Sequence, residues 1–241
     1  MDPNAVAPNG QASSSTDMMM HRRKFLLFSG AAASAALVGV ACKKSDNPVV
    51  TPATPAVDLG TGDTGVLNYA YALEQLEAAF YVRVMQTTSW MNATEMEYLA
   101  DIRDHEVAHR DFFKAALGSN RIQDLTPNFS SVNFADRTSV LNTAKAFEDL
   151  GVSAYNGAGR LLQSSDFLTL AGKIVSVEAR HAALIRDLIA NGTFAKLDDP
   201  DLVSLGADNS KGLDAVRTPA QVLAIANNFL STPVSGANLP S

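Results

Sequence analysis

The sequence predicts an all-α protein: a four-helix bundle with one long crossover between helices 2 and 3, followed by a short C-terminal helical extension. From Gly65 onward, long segments place apolar residues at i, i+3, i+4 and i+7, the pattern of amphipathic helices. The same region contains neither convincing strand alternation nor hairpin turns. The lengths of the connections then indicate which helices are neighbours.

The first two helices are predicted to form an antiparallel pair. Helix 1 covers about 66–87, where the sequence Thr-Thr-Ser-Trp ends it. Helix 2 begins at Asn92 or Thr94, since Glu97 follows Thr94 by three residues as in a capping box, and it ends at Leu117–Gly118. A short connection between them favours antiparallel packing.

Helices 3 and 4 form a second predicted pair. Helix 3 spans about 136–163, and helix 4 runs from about 166 to Asn191–Gly192, a sequence suited to a left-handed C-cap. Between helices 2 and 3 lie about 18 residues, enough for a crossover along the bundle. The bundle is therefore predicted over 66–192.

The C-terminal extension, 193–241, is less regular. One short amphipathic helix is expected there, with Pro219 at its first position.

Residues 1–42 are predicted to be an N-terminal extension and an export signal. The pair Arg22–Arg23 precedes an apolar run over 25–41, too short for a membrane span, and Cys42 follows it. The basic pair resembles a twin-arginine signal, and the cysteine resembles a lipoprotein processing site. Cleavage after Ala41 without lipidation remains the alternative.

A linker and an envelope location follow from this interpretation. Residues 43–65 are rich in Pro, Thr and Gly without helical or strand period, which is typical of a flexible linker. We therefore expect an exported protein of the periplasm or cell envelope that contacts the membrane only through a lipid on Cys42.

Charge and cysteine content exclude some classes of function. The net charge is −6 and basic residues cluster only near the N-terminus, which argues against a nucleic-acid surface. A single cysteine excludes an intrachain disulfide and a thiolate-rich zinc site. Metal ions and small oxidants are the expected partners, and homodimerisation stays open.

An internal repeat carries the candidate chemistry. Residues 72–81 align with 146–155, and residues 105–113 align with 177–185. Each half then contains Glu-x6-Tyr on its first helix and Glu-x2-His on its second. The matched pairs are Glu74 with Glu148, Tyr81 with Tyr155, Glu106 with Glu178, and His109 with His181.

Helix geometry places these side chains together. Residues three or seven apart on a helix project from nearly the same face. If that face points into the bundle, four carboxylates and two imidazoles meet in an apolar interior, where they need a positive charge to stay ionised. Two divalent ions would supply it, and this ligand set suits iron or manganese.

The stretches LEQLEAAFY, HEVAHRDFF, FEDLGVSAYNGA and SVEARHAALIR resemble the ferritin-like superfamily, specifically the bacterial ferritin-like domain family that includes desiccation-related proteins. The resemblance covers about 65–192. It implies a ferritin-like bundle whose two divalent ions, iron ahead of manganese, bind the six repeated residues, with Glu106 or Glu148 able to bridge. Those ligands would be Glu74, Glu106, His109, Glu148, Glu178 and His181. Tyr81 and Tyr155 would hydrogen-bond a carboxylate or be oxidisable neighbours.

Two other polar residues are ranked below these six. Glu77 rivals Glu74, but its repeat partner is Gly151, so we expect it outside the ligand set or facing solvent. His105 points about 100° away from Glu106, which indicates a surface or interface residue.

Two functions are compatible with a metal-binding bundle, and a degenerate bundle without metal is the third, weaker alternative. The first is redox chemistry with dioxygen, peroxide or ferrous iron, as a ferroxidase or a dimanganese catalase-like protein. The second is a non-enzymatic structural or stress-protective envelope protein whose metal only stabilises the bundle.

Overall fold

A computed structural model describes residues 55–241. The export signal, Cys42 and most of the predicted linker lie outside the described residues. Within 55–241 the bundle consists of α1 (Gly62–Val84), α2 (Ala93–Leu117), α3 (Arg137–Ala158) and α4 (Ser165–Ile189). The remaining elements are strand β1 (Val57–Asp58), helices α5 (Pro200–Ser204) and α6 (Pro219–Ala226), and strand β2 (Val234–Ser235). Single 3-10 turns follow α2, α3 and α6.

The predicted all-α bundle is confirmed. Helix α1 packs most extensively along α2, and α3 along α4, so the bundle is two hairpins. Large apolar side chains from all four helices fill its core, among them Leu76, Phe80, Leu99, Phe147 and Ile185, each at most 2% exposed. This burial supplies the main stabilisation of the bundle.

The helix ends agree with the prediction to within a few residues, but two of the caps differ from it. The capping box at the start of α2 is formed by Asn92 and Glu95, whose side chains accept from each other's backbone N–H, and not by Thr94 and Glu97. Gly118 is the C-cap of α2, as predicted, with a positive φ of 53°. The predicted left-handed cap of α4 at Asn191–Gly192 is wrong, because α4 is capped by Ala190 in an extended conformation and Gly192, with φ of 83°, lies in the turn beyond it. Helix α3 ends at Ala158, earlier than predicted, and continues as a 3-10 turn.

Polar side chains of α1 hold the long crossover against the bundle. The Asn68 Oδ1 accepts from the backbone N–H of Ile122 at 2.9 Å, and Gln75 Oε1 accepts from that of Leu125 at 2.7 Å. At its far end, Trp90 Nε1 donates to the carbonyl of Phe134 at 2.9 Å. The crossover therefore runs the length of the first hairpin.

The C-terminal segment packs on α3. The backbone N–H of Arg217 donates to the carbonyl of Ser153 at 3.0 Å. A Cβ atom at Gly157 would lie 1.8 Å from the Arg217 carbonyl oxygen, so glycine is needed for this close approach. Pro219 begins α6, as predicted, after an N-cap at Thr218.

The two chain ends of the described part meet in a small parallel sheet. Val57 pairs with Val234 in β1 and β2, and Leu59 is fully buried. Helix α1 also begins at Gly62, four residues before its predicted start. Residues 57–65, which the sequence places in the flexible linker, are therefore packed against the bundle and its C-terminal segment. Among the helices within 55–241, none combines the length and the apolar composition that a membrane-spanning helix requires.

Candidate metal centre

The bundle brings all six predicted ligands together at its middle. We call these six residues, Glu74, Glu106, His109, Glu148, Glu178 and His181, the centre. The four glutamates are fully buried, and the His181 and His109 side chains are 4% and 14% exposed. Helices α1 and α3 each contribute one glutamate, and α2 and α4 each contribute a glutamate and a histidine three residues apart. The Glu-x2-His pairs face the glutamates of α1 and α3.

The six side chains form two overlapping groups. The His109 group is Glu74, Glu106, His109 and Glu178, and the His181 group is Glu106, Glu148, Glu178 and His181. Within each group, one ligand atom per residue lies within 4.8 Å of every other. Each group could therefore hold one metal ion.

Glu106 and Glu178 belong to both groups, which places them where bridging carboxylates would lie. The expectation that Glu106 bridges fits this arrangement. Of the two alternatives for a bridge, Glu106 or Glu148, the second does not fit, because Glu148 belongs to the His181 group alone; Glu178 is the other shared carboxylate. The reason is the hairpin geometry: the Glu-x2-His glutamates of α2 and α4 project between the two histidines.

The Nδ1 atom of each histidine points toward one carboxylate of the opposite hairpin and one carboxylate of its own hairpin. His109 Nδ1 lies 2.9 Å from Glu178 Oε1 and 3.4 Å from Glu74 Oε2. Likewise, His181 Nδ1 lies 2.8 Å from Glu106 Oε1 and 3.5 Å from Glu148 Oε2. One histidine nitrogen and several carboxylate oxygens, all able to bind a metal, thus converge within each of the two groups.

The polar atoms at these points lack ordinary hydrogen-bond partners. Among residues 55–241, no well-oriented partner is found for either oxygen of Glu106 or Glu178, for one oxygen of Glu74 and of Glu148, or for Nδ1 of either histidine. Buried polar atoms without partners are costly to a fold. Lone pairs that face one another around a common point fit metal ions, whose charge and coordination bonds would satisfy them.

Burial makes two carboxylates of the centre, those of Glu106 and Glu178, poor acids in the absence of a cation. Burial raises the pKa of Glu106 well above its usual value, and the neighbouring Glu178 and Glu74 raise it further. Burial and Glu74 likewise raise the pKa of Glu178 to about 8. Burial lowers the pKa of His109, but its carboxylate neighbours outweigh this effect and raise that pKa to about 10. The centre therefore binds protons tightly wherever it binds no metal.

Each tyrosine of the repeat bonds to a glutamate of the other half. Tyr81 Oη donates to Glu148 Oε1 at 2.5 Å, and Tyr155 Oη donates to Glu74 Oε1 at 2.5 Å. Burial, followed by the nearby carboxylates, raises the pKa of both phenols well above its usual value. Both therefore remain protonated donors that orient Glu148 and Glu74, the first of the two roles expected for them.

The sequence left open that Glu77 faces solvent, but the structure buries this residue. Its side chain is buried at 4% exposure, and Oε2 has no hydrogen-bond partner in the described part of the chain. Burial raises the pKa of Glu77 well above its usual value, and Glu178, Glu74 and Glu148 raise it further. The glycine opposite, Gly151, leaves the space that this carboxylate occupies, so the mismatch in the repeat marks an interior residue and not a surface one.

His105 is exposed, as predicted, yet it touches the centre. Its Nδ1 lies 3.0 Å from His181 Nε2, and the two rings stack with centroids 5.2 Å apart. The contact leaves His181 Nδ1 directed at the carboxylates. The only signal in the sequence is the second mismatch of the repeat, since His105 aligns with Val177.

Comparison with known proteins agrees with this geometry. A family model described as a ferritin-like domain matches residues 62–191. None of the curated proteins matches the sequence significantly. The family match spans more than half of the chain and covers α1 to α4 together with every residue of the centre. The chain therefore belongs to the ferritin-like domain family.

Proposed function

We propose that this chain is an exported ferritin-like protein whose centre binds two divalent metal ions, iron ahead of manganese, and supports redox chemistry with dioxygen, peroxide or ferrous iron at the cell envelope. The observation that carries the proposal is the pair of overlapping ligand groups that share Glu106 and Glu178. Such an arrangement suits two adjacent ions better than one.

Charge supports two divalent ions. The four carboxylates of the centre carry four negative charges when ionised, and two neutral histidines complete the donor set. Two divalent cations balance that charge in a site from which water is excluded. Oxygen and imidazole donors without thiolate suit iron or manganese.

When bound, iron or manganese supplies electron transfer to oxygen or peroxide. The protein contributes orientation and exclusion of water. Tyr81 and Tyr155 fix two glutamates by donating to them, and the apolar core around the centre keeps bulk water out. In the metal-free centre Glu106 and Glu178 hold protons, because burial raises the pKa of both, and they release these protons when metal binds.

An apolar cavity supports a small uncharged oxidant. Side chains including Leu73, Phe113, Ala154 and Phe167 line it, and Tyr155 also lies along it. Tyr155 in turn bonds to Glu74. Dioxygen prefers such an environment to water, so this cavity is a suitable approach to the His109 group.

Turnover separates this function from the alternative, a structural or stress-protective protein whose metal only stabilises the bundle. Metal analysis of the purified protein comes first, because both functions require bound metal. Ferrous ion or peroxide is then added aerobically while absorbance and oxygen uptake are followed. Repeated turnover supports the redox function; reaction of bound metal alone, without further consumption, supports the structural one. Absence of Fe, Mn and Zn would reject both.

Export rests on the sequence of residues 1–42. Replacing Arg22 and Arg23 with lysine should retain the precursor in the cytoplasm if the signal is of the twin-arginine type. Cys42→Ala should move the mature protein from the membrane fraction to the soluble fraction if Cys42 carries a lipid. An unchanged distribution of the Cys42→Ala variant would reject the lipid anchor while leaving export intact.

A further inference from the structure

The two first helices of the repeat, α1 and α3, face each other around an approximate twofold axis. Tyr81 on α1 bonds to Glu148 on α3, and Tyr155 on α3 bonds to Glu74 on α1. Such reciprocal pairing requires α1 and α3 to run antiparallel, with positions 77 and 151 between the two contacts. Glu77 and Gly151 are equivalent in the repeat, so both lie close to the axis.

Space near this axis admits only one side chain. A Cβ atom at Gly151 would lie 3.1 Å from Glu77 Oε1 and 3.5 Å from Glu178 Oε2. The carboxylate of Glu77 therefore occupies the position that a side chain at residue 151 would need. It lies beside Glu178, one of the two carboxylates that both ligand groups share.

Glu77 has no neighbour that explains its burial. Its Oε2 lacks a partner among the described residues, and the charged groups acting on it most strongly are three other glutamates. The contrast is Glu95, a glutamate equally buried at 4% exposure, which accepts from Arg137 Nε at 2.6 Å and from the backbone of Asn92. A buried carboxylate surrounded by carboxylates requires a cation or a proton.

In the structure Glu77 belongs to neither of the two ligand groups, but its carboxylate lies beside the shared Glu178. We propose that Glu77 is a seventh ligand of the centre, a carboxylate near the twofold axis that turns toward the ions when they bind. This inference rests on the proposed function, because it requires the centre to bind metal. A fifth carboxylate gives the centre a net charge of −1 with two divalent ions. It therefore favours a further positive charge at the metals, as in an oxidised ion, and gives the two halves unequal ligand sets.

The test is Glu77→Gln in the full chain, with Mn²⁺ alone as the titrant. After chelation, calorimetric titration should show Mn²⁺ binding weakened about tenfold to a hundredfold for at least one ion. Thermal unfolding of the metal-free variant should occur at the same temperature as wild type or higher, because glutamine fills the same space and has no charge to desolvate among the other glutamates. The rise in unfolding temperature on adding Mn²⁺ should shrink.

Glu95→Gln is the matched control, since it removes a buried carboxylate that has its own cationic partner. It should lower the unfolding temperature with and without metal and leave the Mn²⁺ affinity unchanged. Gly151→Ala is a second variant that keeps Glu77 and displaces its carboxylate by a few tenths of an ångström. It should weaken Mn²⁺ binding in wild type and have little further effect in the Glu77→Gln background.

The outcomes separate the two proposals. If the wild-type protein binds no Mn²⁺ or Fe²⁺, the proposed function fails. If the wild type binds two ions and both Glu77→Gln and Gly151→Ala bind them with unchanged affinity, only the seventh ligand is rejected. A Glu77→Gln protein that unfolds early without metal but binds metal normally would likewise make Glu77 a structural residue and overturn this inference.

Discussion

The hairpins α1–α2 and α3–α4 carry the same ligand pattern but differ in what surrounds it. Glu77 on α1 is replaced by Gly151 on α3, and His105 on α2 is replaced by Val177 on α4. The first difference adds a carboxylate near the axis, and the second gives His181 a ring partner on the opposite hairpin. The internal repeat therefore gives two ligand groups whose six repeated residues match and whose neighbouring residues differ.

The hairpins also differ in what covers them. The long crossover lies along α1, where Arg83 stacks its guanidinium on Phe134. The equivalent of Arg83 on α3 is Gly157, which admits the backbone of Arg217 from the C-terminal segment. Each hairpin is thus protected by a different part of the chain, and the centre lies between them.

The largest expected effect is a difference in the number of bound metal ions between a variant that lacks a shared ligand and one that lacks an unshared ligand. Glu178→Gln should abolish binding of both ions, because Glu178 belongs to both groups. Glu148→Gln should remove only the ion of the His181 group. Elemental analysis of both purified variants measures the metal per chain. Equal losses in the two variants would contradict the assignment of Glu178 as a bridge.

A pH series compares the centre with and without metal. Glutamate in an unfolded chain has a pKa of about 4.3, whereas burial raises the pKa of Glu178 to about 8 in the fold. A group with a raised pKa stabilises the fold below its unfolded pKa and loses that contribution as the pH rises through its folded pKa. Metal-free protein should therefore lose stability between these values, by about 1.4 kcal/mol per pH unit for each proton held.

Burial also raises the pKa of Glu106, and carboxylates raise that of His109, so these groups shift stability in the same direction. Glu106→Gln and Glu178→Gln should each reduce the change in free energy of unfolding per pH unit. Thermal unfolding from pH 5 to pH 8, with and without Mn²⁺, measures the effect. Because metal competes with protons for the same atoms, wild-type protein with bound Mn²⁺ should lose less stability than metal-free protein over this pH range, or become more stable. If stability changes with pH by the same amount with and without Mn²⁺, metal and protons do not compete at the centre.

Gly157→Ala tests how the second hairpin is covered. A Cβ atom there would overlap the Arg217 carbonyl, so the C-terminal segment must shift, at a cost of about 1–3 kcal/mol in free energy of unfolding. Gly172→Ala on α4 is the control, since its Cβ would meet no atom within 4 Å and alanine favours helix. Urea unfolding of both variants measures the difference. If the two variants are equally stable, the close approach at Gly157 does not hold the C-terminal segment on α3.

The smallest expected effect is a loss of metal affinity in the His181 group alone, caused by a change at His105. His105→Phe preserves a ring against His181 and removes the nitrogen 3.0 Å from its Nε2. We expect about tenfold weaker binding of the ion in the His181 group, ~1.4 kcal/mol, and no change in the His109 group. His105→Asn, which retains an acceptor, should restore part of the affinity. Stepwise Mn²⁺ titration measures both sites, and equal weakening of the two would exclude a local positioning role.

Much of the fold followed from the chain because its information is local and repeated. The 3.6-residue period located four long helices, and the length of the crossover indicated its path along the bundle. Capping was less certain, because Asn92 with Glu95 and Thr94 with Glu97 satisfy the same spacing rule and only the backbone geometry separates them. The strand pairing of Val57 with Val234 had no local signal at all, since it joins segments far apart in the chain.

The sequence by itself determined which six side chains share a face, because helix periodicity and the repeat place Glu74, Glu106, His109 and their equivalents at matching positions. Only the tertiary structure decided how those faces combine. The antiparallel approach of α1 and α3 directs Glu77 inward beside the space left by Gly151, and the packing of α2 against α4 brings His105 onto His181. These contacts depend on the relative position of helices from different hairpins, which no spacing along a single helix specifies.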